Sequence, residues 1–193
     1  MLPVSFSLII LFLYAGAWLR LHLALRNDTR INANMQMLLA GLGGLGQTLL
    51  AWSSMSVETG VDFSLFKVLS LIAGLTVAAV AFSSRRTAVQ PVQLIFIPLA
   101  ALMLAGELMN AGSATPLALS AGTATHVLLS LVAFGIFTLA TVLALLLGYA
   151  ESRLKHHRVT SLVRHIPPIE ALESFIFELL TLGSLLLAGS VFS

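Results

Sequence analysis

Residues 125–155 read THVLLSLVAFGIFTLATVLALLLGYAESRLK. Between Val127 and Leu147 no side chain carries a charge. An α-helix rises about 1.5 Å per residue and a bilayer's hydrocarbon core is about 30 Å thick, so a span needs about 20 mostly apolar residues. The stretch Thr125–Ala150 therefore predicts a membrane-spanning helix, with His126 at its opening. Glu151, Arg153 and Lys155 form a charged exit that carries the helix on to about His157, leaving the bilayer at Tyr149.

The same criterion applied to the rest of the chain finds Pro3–Leu19, Met35–Met55, Phe63–Phe82, Val92–Met109 and Phe175–Phe192. Composition agrees: 58% of residues are hydrophobic and 9% charged, against roughly 25% charged in soluble domains. With a mean hydropathy of +1.00, the expected fold class is an all-α integral membrane protein, a bundle of six transmembrane helices forming a single domain over residues 1–193. The first run lacks the basic segment that precedes a signal peptide's apolar stretch, so it reads as a retained span.

Placement of lysine and arginine sets the orientation. Arg20, Arg26 and Arg30 follow the first run, Arg85 and Arg86 the third, and Arg153, Lys155, Arg158 and Arg164 the fifth. The connections after the second and fourth runs contain neither residue type. The first, third and fifth loops are thus expected in the cytoplasm, with both termini on the outer side. The net charge of +2 comes from short loops between apolar runs and does not argue for nucleic acid.

This topology places His126, Lys67, Glu107, Met55 and Met109 near the outer ends of their spans. His22, His156, His157 and His165 fall in basic loops on the other side, too far away to share a site with His126. Glu107 and Lys67 are expected to pair with one another or to snorkel to water. Glu178, about two turns past Glu170, is expected to face the bundle interior or to stay protonated, with Gln47 the obvious polar partner for any proton path. The cluster Gly41-Leu42-Gly43-Gly44-Leu45-Gly46 follows no strand and lies inside an apolar helix, which points to close helix packing rather than nucleotide binding. Pro98 predicts a kink whose freed carbonyl a neighbouring element satisfies. Two connections stand out: Asn110–Ala124, rich in small residues, and the Pro167-Pro168 break before the sixth span.

The absence of cysteine excludes disulfides, thiolate metal sites and covalent haem attachment through Cys-x-x-Cys-His. No nucleophile–base pairing and no His-x-x-x-His spacing is present, so no enzyme is expected. An imidazole at the mouth of a span is either an interfacial group bonded to a carbonyl or water, or a ligand. Residues three or four apart share a helix face, and His126, Ser130, Phe134 and Phe137 line one stripe able to accept the flat face of a porphyrin or the side chains of a packed neighbour.

The segment His126–Ala140, the exit Leu145–Lys155 and the entry Ile166-Pro167-Pro168-Ile169-Glu170-Ala171-Leu172-Glu173 resemble the cytochrome c assembly membrane proteins, most of all the HemX/YpjD branch of the CcsA-like superfamily. The resemblance is good over about residues 120–190 and rests on hydropathy alone further upstream. It implies an inner-membrane protein of cytochrome c assembly that handles non-covalent haem b (heme b) through an outward-facing histidine. By motif match only His126 takes the axial-ligand role, with Ser130 and Phe134 beside it. Family members usually continue through two more spans that bring a second histidine; here Met109, a second subunit or water is expected to complete the iron's coordination. Their tryptophan-rich outer loop also has no counterpart, Trp18 and Trp52 being the only tryptophans. Expected partners are the lipid bilayer and other cytochrome c maturation proteins. The competing expectations are a scaffold or regulatory subunit of an ion transporter or other membrane complex, without haem, and a small transporter using Glu107 and Glu178.

Overall fold

The computed structural model describes residues 2–27, 29, 32–57, 60–83, 90–110, 120–155 and 169–192. Six α-helices account for nearly all of them: α1 (Leu2–Arg26), α2 (Ala33–Met55), α3 (Leu65–Ser83), α4 (Gln93–Met109), α5 (Ala121–Lys155) and α6 (Ile169–Val191). A two-residue-per-strand antiparallel ribbon, Ser56–Val57 against Gly60–Val61, joins α2 to α3. Gly60 has φ 145° there, a region that side chains with a Cβ avoid.

Each apolar run folds as a helix, and the helices extend past the runs into polar sequence. Hydropathy ends where the bilayer would end, whereas a helix ends where its backbone groups find other partners. The α2 start is fixed by Asn32, whose Oδ1 accepts from Met35 N at 3.2 Å. Ser120 caps α5 in the same manner, its Oγ accepting from Thr123 N at 3.2 Å. His126 therefore sits in the second turn of α5 rather than at its opening. Helix α1 runs on to Arg26, so His22 is a helical residue, not a loop residue; its ring stacks on Trp18 with centroids 5.1 Å apart. Residues 111–119 and the Pro167-Pro168 break lie outside the described residues.

Four helices are long and apolar enough to cross a membrane: α1, α3, α5 and α6. Helix α4 is apolar but has 17 residues. Helix α2 has 23 residues, but Gln36, Gln47, Thr48, Ser53 and Ser54 lower its hydropathy. Two of these polar groups, Gln36 and Gln47, are turned inward and buried. The outward faces carry Phe12, Leu49, Leu102 and Phe177, each more than 60% exposed. That surface suits acyl chains rather than water.

Helices α1 to α4 pack together, with α2 against α1 and α3, and α4 against α1 and α3; α5 and α6 form a hairpin that rests on α3. The glycine cluster of α2 lets two helix backbones approach closely. A Cβ on Gly44 would lie 2.6 Å from Ala78 N, and one on Gly74 would lie 2.9 Å from Thr48 N. Backbone therefore meets backbone at the α2–α3 crossing, the packing that the small residues predict. Gly43 is filled by the ring of Tyr14 and Gly46 by Ile10, so α1 uses the same groove. The carbonyl that Pro98 frees finds the expected neighbour: Pro98 offers no N–H to Leu94 O, and Trp18 Nε1 of α1 donates to that carbonyl at 3.2 Å.

Buried polar side chains tie α1, α2, α3 and α4 at two levels. Gln36 Nε2 donates to Gln93 Oε1 at 2.8 Å and to Ala17 O at 3.2 Å. Further along the bundle, Tyr14 donates to Gln47 Oε1 at 2.7 Å, and Gln47 Nε2 donates to Ser70 Oγ at 3.0 Å and Ala100 O at 3.1 Å. Gln47 is thus consumed by a structural network and has no access to a path from Glu178. In an apolar interior such paired groups hold helices in one register, because an unpaired amide there costs several kcal/mol (roughly 2–7).

Candidate functional site

The helix ends that carry Met55, Leu65, Met109, His126 and Val191 lie at one end of the bundle. Two polar constellations occupy it. The first joins α2, α3 and α4. Lys67 Nζ donates to Asp62 Oδ2 at 2.7 Å and to Ser54 O at 2.6 Å, while Ser54 Oγ donates to Glu107 Oε1 at 2.5 Å. The expected Lys67–Glu107 pair is replaced by Lys67–Asp62. Asp62 is positioned by the ribbon, its N–H held by Met55 O at 2.8 Å, and its Oδ1 accepts from Ser64 N at 3.0 Å just before α3. That local turn brings its carboxylate to Lys67 before Glu107 is reached. Glu107 Oε2 is buried and has no hydrogen-bond partner among the described residues.

The second constellation joins α5 and α6. His126 Nδ1 lies 2.5 Å from the backbone carbonyl of Ser190. A carbonyl oxygen accepts and cannot donate, so Nδ1 bears the proton. In the neutral imidazole this leaves the Nε2 electron pair free, and no described residue bonds to it. One turn further, Ser130 Oγ donates to Ser190 Oγ at 3.3 Å, and Ser190 Oγ donates to Leu187 O at 2.7 Å. Ser190 is 1% exposed, whereas His126 is exposed.

This arrangement is one that ligating histidines adopt: the ring nitrogen that does not bind metal donates to a carbonyl, which fixes ring orientation and raises the basicity of the other nitrogen. Among the described residues, no group of three or more His, Asp or Glu is placed to hold a metal ion by itself.

The remaining sequence candidates divide. Ser130 shares the His126 constellation. Phe137, near the same angular position three turns down, packs its ring on Gly183 of α6, where a Cβ would lie 2.8 Å from Cε1. Phe134 turns out of the α5–α6 contact and is 63% exposed, leaving an aromatic face available below the imidazole. Met109 is 86% exposed at the last turn of α4, a helix packed mainly on α1 and α3; no contact ties it to His126. Ser190 was invisible beforehand, because its contribution is a backbone carbonyl, which every residue type possesses.

A family model described as cytochrome C assembly protein matches residues 38–193. The chain belongs to the cytochrome c assembly protein family. The match takes in most of α2 and all of α3 to α6, so the family pattern reaches well upstream of the histidine–serine and double-proline elements. No curated protein and no solved structure matches the chain. Membership in the cytochrome c assembly family supports a multi-pass membrane protein with a role in cytochrome c biogenesis, a process that handles haem. It gives the apolar outer surface of α1, α3, α5 and α6 a bilayer to face.

Proposed function

We propose that this chain is a non-catalytic haem-handling protein of cytochrome c assembly, belonging to the HemX/YpjD branch. It spans a bacterial inner membrane six times as one domain over residues 1–193, with both termini and His126 on the periplasmic side. His126 Nε2 ligates the iron of a non-covalently held haem b. The observation that carries this reading is the 2.5 Å contact from His126 Nδ1 to Ser190 O, which commits the proton to Nδ1 and leaves Nε2 as the nitrogen with an electron pair to give.

Bound haem would supply an iron centre to be presented to an apocytochrome; the protein's contribution is placement. Ser130, bonded to Ser190, holds the two helix ends together beneath the ring. Phe134 offers an exposed aromatic face about two helical turns below. The short α5–α6 tie makes His126 a fixed rather than swinging ligand, so little side-chain entropy is lost on binding. Met109, exposed at the end of a helix packed mainly on α1 and α3, is not preplaced beside His126.

Holocytochrome c formation tests the role in the cell. A strain deleted for this gene and complemented with the wild-type chain should restore covalent haem staining of periplasmic c-type cytochromes, whereas His126→Ala should not. Full restoration by His126→Ala would favour the second reading, a scaffold subunit of a membrane complex in which His126 only ties α5 to α6. One observation favours that reading: no second iron ligand faces His126 among the described residues.

A further inference from the structure

Glu178 does not face the bundle interior, the first of its two expected states. It is exposed on α6, within Leu172–Val191, a segment apolar and long enough to cross a membrane. It lies six residues past Leu172, about 9 Å along the helix axis, inside that apolar segment. No described residue donates a hydrogen bond to it. A carboxyl group facing acyl chains without a partner is unfavourable in either protonation state, which is why such groups inside membranes mark functional contacts.

The surface around Glu178 is shaped. On one side a crevice of about 410 Å³ lies between α3, α5 and α6, with Thr76, Phe82, Gly135, Phe175 and Leu182 among its lining. On the other side a shallower groove runs along α6 past Ser174, Phe177, Thr181 and Leu185. Glu178 lines both. Residues 174, 178, 181, 182 and 185 recur at three- and four-residue steps, the repeat that one helix presents to another. The small hydroxyl side chains of Ser174 and Thr181 allow close approach on either side of the carboxyl.

We propose that this face docks a transmembrane helix of another membrane protein, carrying a lysine or arginine that pairs with Glu178. Charge complementarity at this depth selects the occupant: an apolar helix would leave the carboxyl unpaired, and a basic side chain satisfies both partners. A second copy of this chain fits less well. Of the described basic side chains, Lys67 is already engaged by Asp62, and the exposed Arg20 and Arg26 lie on α1, which packs on α2 and α4, whereas α6 packs on α5. Joining Arg20 of one copy to Glu178 of the next uses two different surfaces, a heterologous contact that propagates instead of closing a dimer.

The probe is a labelled host peptide of leucines with a single central lysine, and its all-leucine counterpart, in phosphatidylcholine vesicles containing the labelled full chain. Energy transfer should report binding of the lysine peptide at least tenfold tighter than the all-leucine peptide. The preference should fall to parity in Glu178→Gln, and Leu185→Trp, which fills the groove and keeps the carboxyl, should weaken the lysine peptide as well. Equal binding of the two peptides to the wild type, or a lysine preference that survives Glu178→Gln, overturns the proposal. Self-association of the wild-type chain that disappears in Glu178→Gln also overturns it, by giving the face to a second copy.

Discussion

The imidazole Nδ1 of His126, in the second turn of α5, is held 2.5 Å from the carbonyl oxygen of Ser190 near the end of α6. The two residues are 64 positions apart, and the bond closes the α5–α6 hairpin at the end opposite its connection. It has two separable consequences. It ties two helix termini together, and it fixes which ring nitrogen keeps the electron pair.

The structural consequence predicts an isostere effect. Asparagine can place its side-chain N–H near the position of Nδ1 and still donate to Ser190 O. His126→Asn should therefore cost less than about 0.5 kcal/mol of unfolding free energy, and His126→Ala about 1 kcal/mol, the usual net value of a hydrogen bond. Unfolding in mixed detergent, followed by loss of helicity, gives both numbers, and equal losses would show that the bond contributes nothing.

The α2–α3 crossing predicts a contrast between glycines. A Cβ on Gly44 would meet Ala78 N at 2.6 Å and Gly74 O at 2.8 Å, backbone atoms that move only if the helices separate. Gly44→Ala should destabilise the bundle by about 1–3 kcal/mol, as overpacking does. Around Gly16 of α1 nothing lies within 4 Å, so Gly16→Ala should gain about 0.5–1 kcal/mol from helix propensity. Thermal inactivation midpoints of the two variants should move in opposite directions.

The buried network predicts non-additivity. Tyr14→Phe removes the donor to Gln47 Oε1 and leaves a fully buried acceptor unpaired, a loss of about 1–3 kcal/mol. Gln47→Leu strips donors from Ser70 and Ala100 as well. In the double variant the first loss should largely vanish, because the orphaned acceptor is gone; a double-mutant cycle that simply adds would contradict the network.

The Lys67–Asp62 pair predicts asymmetry at the α2–α3–α4 constellation. Both side chains are at least 85% buried, so Asp62→Ala leaves a desolvated ammonium with Ser54 O alone and should destabilise by about 3 kcal/mol. Replacing both, as Asp62→Asn with Lys67→Met, should recover much of that loss. Equal stability of Asp62→Ala and the wild type, by the same detergent unfolding, would place the pair among weak surface contacts.

These contrasts mark what the sequence could tell. Every apolar run was legible as a helix, because hydropathy reports the solvent directly, and the glycine cluster and Pro98 were legible because backbone sterics need no partner to be named. Helix ends were read short: Ala121–Ala124 and Leu21–Arg26 are helical by virtue of local bonds and propensity, in sequence too polar for the hydropathy window. Polar pairings were mostly missed. Tyr14–Gln47 and Gln36–Gln93 join helices whose relative rotation no single helix encodes. Lys67 went to Asp62 because an irregular ribbon, not a helix register, placed that carboxylate. At the candidate site His126 and Ser130 were legible as one face. Ser190 was not, since its carbonyl carries no side-chain signature, and Met109 was placed by level in the membrane without regard to which helices touch.

The central claim, that His126 Nε2 ligates haem iron, is tested most directly by titrating the purified full chain in detergent with haem b and recording the Soret band. The account predicts a saturable one-to-one complex with the spectrum of histidine-ligated haem in the wild type. His126→Asn, which keeps the tie to Ser190, should lose that spectrum and at least tenfold in affinity. An unchanged Soret band and affinity in His126→Asn, or no saturable binding by the wild-type chain, would contradict it.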